Sequence, residues 1–183
     1  MSGILQGLLA SIGAAGGPFL YSWGNNLYGQ IGDNSRDKRS SPVQVGDLTI
    51  WSKVSNGSRH IASIKSDGTI WAWGGNFGGQ VGDNTIINRS SPVQIGALTN
   101  WSDVKCGRYF TVGIKTDGTL WSWGQNNKGQ LGDGTVVYRS SPVQVGALTN
   151  WSKIACGFVH CISVKTDNTL WGWGGNYSGY VGD

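Results

Sequence analysis

Residues 71–83 read W-A-W-G-G-N-F-G-G-Q-V-G-D, and the chain returns to this stretch at a fixed interval of fifty residues. Its copies begin at Tyr21 (Y-S-W-G-N-N-L-Y-G-Q-I-G-D), Trp121 (W-S-W-G-Q-N-N-K-G-Q-L-G-D) and Trp171 (W-G-W-G-G-N-Y-S-G-Y-V-G-D), with no insertion or deletion between them. A period of this size marks a repeat architecture, in which one supersecondary unit cannot bury its apolar faces alone and covers them with copies of itself. The fifty-residue block, rather than the whole chain of 183 residues, is the unit that has to fold.

Each block reads as strands. In residues 69–73 the alternation puts Trp71 and Trp73 on one face and Ile70 and Ala72 on the other, so both faces are buried. Residues 89–95 give a strand entered through Pro92, which suits an edge or a strand start. Residues 101–106 make a third strand, and residues 109–115 a fourth with Phe110, Val112 and Ile114 on one side. The fourth strand turns into the next Trp strand at Asp117-Gly118, as at Asp67-Gly68 and Asp167-Asn168. Asp-Gly predicts a tight two-residue hairpin loop with positive φ at both central residues.

Four antiparallel strands per block, buried on both faces and strictly repeated, predict an all-β fold of β-propeller blades. The Trp face of one blade meets its neighbour, and Ser22, Ala72, Ser122 and Gly172 keep the opposite face thin. A Trp that buries ~150–250 Å² contributes roughly 4–6 kcal/mol as an upper bound, which is core chemistry needing no ligand to explain it.

Composition agrees. Ten Trp and 31 Gly, against one Met and four Pro, describe large flat side chains on strands joined by tight turns. Charged residues are only 13% of the chain, which suggests that part of the surface is covered by a partner. The net charge of +4 is scattered, with Lys65, Lys115 and Lys165 recurring once per repeat and Arg39, Arg89 and Arg139 doing the same. The absence of a basic run argues against a nucleic-acid partner.

Residues 1–32 carry no charged side chain, and Ile4, Leu5, Leu8, Leu9 and Ile12 fall on one face at helical spacing. The spacing predicts a short amphipathic helix or docking strap over residues 1–18, with propeller repeats over 19–183. A helix of about nine residues spans only ~14 Å, too short for a bilayer core of about 30 Å. The start lacks the basic n-region of a secretory signal. Gly13, Gly16, Gly17 and Pro18 form a joint into the first repeat.

The pattern W-x-W-G-x-N-x-x-G-Q-x-G-D, followed by S-S-P-V-Q-V and by A-C-G-x-x-H at residues 155–160, resembles the RCC1-type repeat over about residues 19–183. WD-type repeats are shorter and want a Gly-His and Trp-Asp pair, and kelch repeats share only the double Gly at Gly74-Gly75 and Gly174-Gly175. The resemblance implies propellers of about seven blades. It also implies one of several roles, among them nucleotide exchange on a small GTPase, chromatin binding and inhibition of bacterial enzymes, with protein binding as the common denominator. This chain holds three full periods and a fourth Trp strand, and it lacks an inserted loop of the kind an exchange factor uses as a wedge. The uncharged leader fused to near-identical repeats is similar in style to the repeat-bearing structural proteins of tailed phages.

No constellation supplies catalysis, a cofactor site or a metal site. His60 and His160 share a repeat position that Phe110 also fills, so they read as packed residues. Cys106 and Cys156 stand where the first block has Asn56, so the three Cys read as small buried residues. Asp33, Asp83, Asp133 and Asp183 follow Gly in a turn and lack the alternating ligands of a calcium loop. Arg39, Arg89 and Arg139, six residues after the first three of these, pair locally or, in the alternative, ring a channel that holds anions.

Where the blocks differ, propeller geometry is not dictating the residue. One variable set is residues 34–38, 84–88 and 134–138, carrying Arg36, Lys38, Ile86, Ile87, Val136, Val137 and Tyr138. The other is residues 27–28, 77–78, 127–128 and 177–178, carrying Tyr28, Phe77, Lys128 and Tyr177. Apolar residues in such connections point to contact with a partner. The sequence therefore predicts a non-enzymatic structural or protein-interaction module. The expected setting is an oligomer or a fixed place in a multiprotein assembly, with a phage virion as the leading location and a cell-surface, extracellular or cytoplasmic one as alternatives. A lectin-like or inhibitor-like recognition module is the alternative function, and a GTPase exchange factor stands third.

Overall fold

The computed structural model describes residues 10–12, 18–46 and 50–182, and every regular element among them is a β-strand. The first sheet holds β1 (Ala10–Ile12), β2 (Pro18–Gly24) and β3 (Arg39–Gln44). The second holds β4 (Trp51–Asn56), β5 (His60–Lys65), β6 (Ile70–Gly74) and β7 (Arg89–Gln94) in that spatial order. The third repeats it with β8 (Trp101–Cys106), β9 (Phe110–Lys115), β10 (Leu120–Gly124) and β11 (Arg139–Gln144). The fourth holds β12 (Trp151–Cys156), β13 (His160–Lys165) and β14 (Leu170–Gly174). All neighbouring strands are antiparallel, and β8 contacts both β4 and β12 across the sheets, so adjacent blades meet through their first strands. No helix among the described residues is long and apolar enough to cross a membrane.

The blades pack as the alternation requires. Ala62, Ile64, Ile70, Ala72, Val81 and Ile95 of one blade form a single cluster with Trp101, Val104 and Trp123 of the next. One repeat further on, Phe110, Val112, Ile114 and Leu120 meet Trp151, Ile154 and Cys161. The small residue in the thin face also satisfies a buried carbonyl. The Ser22 and Ser122 hydroxyls donate to the carbonyls of Ile31 and Leu131 at 2.6 and 2.8 Å.

Two local expectations are corrected. The hairpins are three-residue loops, because Gly68 N–H donates to Lys65 O at 2.9 Å while Lys65 N–H donates to Thr69 O at 3.0 Å. Only the second residue of each dipeptide has positive φ, at 78° in Gly68, 75° in Gly118 and 66° in Asn168. This is a turn closed by a bulge rather than a two-residue loop. The Asp keeps ordinary φ and uses its carboxylate to accept from the N–H and hydroxyl of the following Thr, at 2.9 and 2.6 Å for Asp67 and Thr69.

The second correction concerns Ile12 alone. Ile4, Leu5, Leu8 and Leu9, together with Gly13, Gly16 and Gly17, lie outside the described residues. Ile12, expected on the same helical face, instead ends β1 and pairs with Pro18, with Ala10 opposite Leu20. In the second sheet the equivalent of Leu20, Ile70, pairs with Ile64 of β5, so β1 occupies the place of a blade's second strand. At Ile12 the hydrogen-bonding edge of β2 outweighs a weak helical periodicity, because an unpaired edge beside a strand costs more than a short isolated helix gains.

Candidate functional site

The register gathers the variable loops at one end of the blades. His60 pairs with Gly74 and Gly74 with Arg89, so the β4–β5 turn and the loop from β6 to β7 emerge together, and the third sheet does the same. Both variable sets found in the sequence therefore share an end. The opposite end carries the repeated turns, where Lys65, Lys115 and Lys165 lie 3.6–3.8 Å above the rings of Trp71, Trp121 and Trp171.

The recurring polar residues of the motif build these loops. Asn76 Nδ2 donates to Asp83 Oδ1, Thr85 O and Ile87 O, each at 3.1 Å, and Asn76 Oδ1 accepts from Val81 N–H at 2.9 Å. Buried Gln80 Oε1 accepts from Gly78 N–H at 2.8 Å, and Gln30 and Gln130 hold Tyr28 and Lys128 in the same way. Asp83 also accepts from Thr85 and, through Oδ2, from Arg89 Nε at 2.6 Å. Burial pushes the Asp83 carboxyl up, but the hydrogen bonds from Thr85 and Arg89 outweigh it and hold the group below its ordinary 3.8. Asp33 with Arg39 and Asp133 with Arg139 repeat the pair. These arginines are thus committed to local ion pairs, and the alternative of an anion-holding ring is set aside. No group of His, Cys, Asp and Glu among the described residues is arranged to hold a metal.

Because that backbone is tied down, its variable side chains project outward. Ile86, Ile87, Val136 and Val137 are 55–67% exposed although Ile87 O and Val137 O are anchored by Asn76 and Asn126. Tyr138 is exposed and its hydroxyl accepts from Gln125 Nε2 at 3.0 Å. Arg36 and Lys38 are exposed in the first such loop.

Nearer the first strands of the blades, a second cluster forms around residues that the sequence pattern alone did not single out. The Arg59 guanidinium lies 4.6 Å from the Tyr28 ring, 5.6 Å from Phe77 and 5.5 Å from Tyr109. Phe77 and Tyr109 meet edge to face at 4.7 Å. Arg108 lies 4.7 Å from the Tyr109 ring and 4.1 Å from Phe158. Between them is a cleft of about 340 Å³ lined by Tyr28, Arg59, Arg108, Tyr109 and Phe158. Tyr28 and Phe77 are thereby brought together, and Lys128 stands 5.5 Å from Tyr177. Ile86, Ile87, Val136 and Val137 are not among the residues that line this cleft. The missed residues carried a signal, since Ser58-Arg59, Arg108-Tyr109 and Phe158-Val159 differ between blocks at two adjacent repeat positions.

The chemistry-bearing side chains sit in packed surroundings. His60 is fully buried with Nε2 2.9 Å from Thr111 Oγ1, and burial lowers its pKa from 6.5 to about 3. His160 stacks on Tyr180 at 5.2 Å. Burial raises the Cys106 thiol to about 12. Cys156 and Cys161 are free thiols directly opposite each other on β12 and β13, sulfur to sulfur 2.8 Å.

The family model of the Regulator of chromosome condensation (RCC1) repeat matches residues 19–64, 67–114 and 117–164. A second model of the same description matches residues 101–130 and 151–179. The chain belongs to the RCC1-repeat family. Each matched RCC1 repeat straddles two sheets, as residues 67–114 contain β6 and β7 of one blade and β8 and β9 of the next. One blade therefore cannot unfold without opening two repeats, which stitches the RCC1 array together.

Solved structures agree on the fold. Human WBSCR16 is similar with a TM-score of 0.77 at 24% identity, over 90% of this chain and 45% of that one. Prp20p from Saccharomyces cerevisiae, in a structure that also concerns its binding to Gsp1p and histones, is similar with a TM-score of 0.73 at 19% identity, over 80% of this chain and 39% of that one. The same yeast protein has been solved with Kap60 bound, with a TM-score of 0.72 and 21% identity over 85% of this chain and 38% of that one. The chain thus spans less than half the length of these structures.

Proposed function

We propose that this chain is a non-enzymatic protein-interaction module that docks through the end carrying its variable loops. One observation carries the reading. The apolar side chains of residues 86–87 and 136–137 stand exposed on a backbone that the repeated asparagines Asn76 and Asn126 pin in place. Exposed aliphatics on a rigid loop present a preformed contact surface at little ordering cost. The proteins bound by yeast Prp20p are consistent with such a use of the fold.

The finer reading is a fixed subunit of a larger assembly, with a phage particle as its setting. It is supported by the uncharged leader and by the low share of charged residues. A face of β13 and β14 adds to it, because Ile162 and Leu170 are exposed where their counterparts Ala62, Val112, Ile70 and Leu120 are buried by a following blade, and Trp171 is exposed where Trp71 and Trp121 are half-buried. A blade of the same type, from a second copy or from the same polypeptide, fits that face.

The test is capture of partners from the native source by the wild-type chain and by a variant with Ile86, Ile87, Val136 and Val137 all changed to Asp. Loss of capture with an unchanged melting temperature is expected; equal capture by both overturns the docking end. Mass spectrometry of purified particles addresses the virion setting, which fails if the chain is absent from them.

A further inference from the structure

The loops offer a second kind of chemistry, which the aliphatic contacts do not explain. Of the arginines at this end, Arg39, Arg89 and Arg139 are each bound to an aspartate of their own loop. Arg59 and Arg108 are different: among the described residues neither guanidinium has a carboxylate or a hydrogen-bond acceptor, and both are held only against aromatic rings. A guanidinium lying over ring faces is positioned through its π face, while its in-plane N–H donors stay free for a planar, two-oxygen acceptor.

Their backbones are as firmly placed as the rings. Gly75 N–H donates to Arg59 O at 2.6 Å, Ser58 N–H donates to Arg108 O at 3.1 Å, and Arg108 N–H donates to Phe158 O at 3.3 Å. Successive blades are thus tied through the turns that carry the two arginines. Both side chains line the cleft of about 340 Å³, with Phe158 exposed at its edge. Propeller geometry does not ask for them, since the equivalent position to Arg59 holds Tyr109 and then Val159, and that to Arg108 holds Ser58 and Phe158.

We infer that the Arg59–Arg108 cleft receives an acidic segment of a partner protein, whose carboxylates pair with the two guanidiniums while an adjacent apolar side chain packs on Phe158. Charge decides the occupant: the aspartates Asp33, Asp83 and Asp133 of these loops are already consumed by their own arginines, and Asp37, exposed in the first loop, is not among the residues that line the cleft, so the cleft presents uncompensated positive charge. The inference rests on the reading of this end as a protein-docking surface and adds what the partner must carry.

The probe is a fluorescein-labelled peptide alternating glutamate with phenylalanine, compared with its glutamine counterpart and with single-stranded oligothymidine, by anisotropy against the full chain. The acidic peptide is expected to bind, its glutamine counterpart to bind at least about tenfold more weakly, and R59Q/R108Q to lose about tenfold or more in affinity for the acidic peptide. R59K/R108K, which keeps charge but not the planar fork, is expected to fall between and serves if the glutamine variant fails to fold. Equal binding of the two peptides, acidic-peptide affinity unchanged in both variants, no binding of the acidic peptide, or tighter binding of oligothymidine each overturns the site. Such a failure leaves the docking end standing, because that reading is tested by the aliphatic loop variant and not by this peptide.

Discussion

The indole N–H of Trp73 donates to the backbone carbonyl of Gln30 at 3.1 Å, across the boundary between the first and second blades. Gly32 makes the approach possible, since a Cβ there would stand 2.6 Å from that indole nitrogen. Trp173 repeats the bond to Gln130 at 3.1 Å. At the boundary between them, Gln80 O instead accepts from Thr111 Oγ1 at 2.9 Å, and the buried Trp123 N–H has no partner among the described residues. One repeat position therefore exists in a satisfied and an unsatisfied form.

That contrast predicts unequal costs for the same substitution. Trp73→Phe removes ring volume and a buried hydrogen bond, whereas Trp123→Phe removes ring volume and an orphaned donor. Trp73→Phe is expected to be the more destabilising by about 1 kcal/mol or more. Urea unfolding of the two variants measures it; equal costs would show that the bond to Gln30 contributes nothing net.

His60 makes the fold sensitive to acid. The Thr111 hydroxyl gives its proton to Gln80 O, so His60 Nε2 carries the proton of a neutral ring and donates to Thr111. Burial lowers its pKa to about 3 from 6.5, so the unfolded chain binds a proton that the folded chain refuses. Its contribution is full above the unfolded value and is lost progressively as pH falls from 6.5 towards 3, a span worth roughly 4–5 kcal/mol at most. His60→Phe, which copies Phe110 of the next blade, should flatten this part of the stability–pH curve. Parallel urea midpoints at about pH 7.5 and about pH 5 would show it, and identical slopes for both proteins would sink the assignment.

Gly118 is required twice over. Its φ of 75° disfavours a side chain, and a Cβ there would lie 2.0 Å from the carbonyl oxygen of Thr149. Gly118→Val should destabilise by more than about 1 kcal/mol. Gly146, with φ of 62° and open space around it, should tolerate Ala at a smaller cost. A melting temperature unchanged by Gly118→Val would contradict the hairpin described above.

The blade was legible because the Trp71/Trp73 alternation and the fifty-residue period both follow from burial, which sequence records directly. The hairpin at Asp67-Gly68 was legible in place but not in type, since which amide bonds Lys65 O depends on backbone geometry that several loops share. The pairing of Arg39 with Asp33 could be read from spacing within one loop. Arg59 and Arg108 could not be joined to Tyr28, Phe77 and Phe158 in that way, because the cluster is made by adjacent blades and its members are far apart in the chain. Ile12 misled for a different reason: five apolar residues fit a helical face, and only the vacant edge of β2 decides for a strand.

That edge supports a last prediction. β1 covers the side of β2 where a full blade has its second strand, with Ser11 opposite Phe19 and Ala10 opposite Leu20. Leu20 is buried beside Val45, Trp51 and Trp73, so β2 itself is anchored by the second blade whether or not β1 is present. Removing residues 1–12 should therefore leave the chain folded but expose the backbone groups of β2 to solvent and to other strands. Amide exchange at Phe19, whose backbone groups face Ser11 of β1, should accelerate, while Leu20, whose carbonyl accepts from Val45 N–H on the β3 side, and Val112 and Ile114 of β9, flanked on both sides in the third sheet, keep their protection. Light scattering should rise with protein concentration as the bared edge pairs between molecules. Unchanged exchange along β2 after the deletion would mean that β1 does not hold that edge, and the leader would then have to be assigned wholly to a partner.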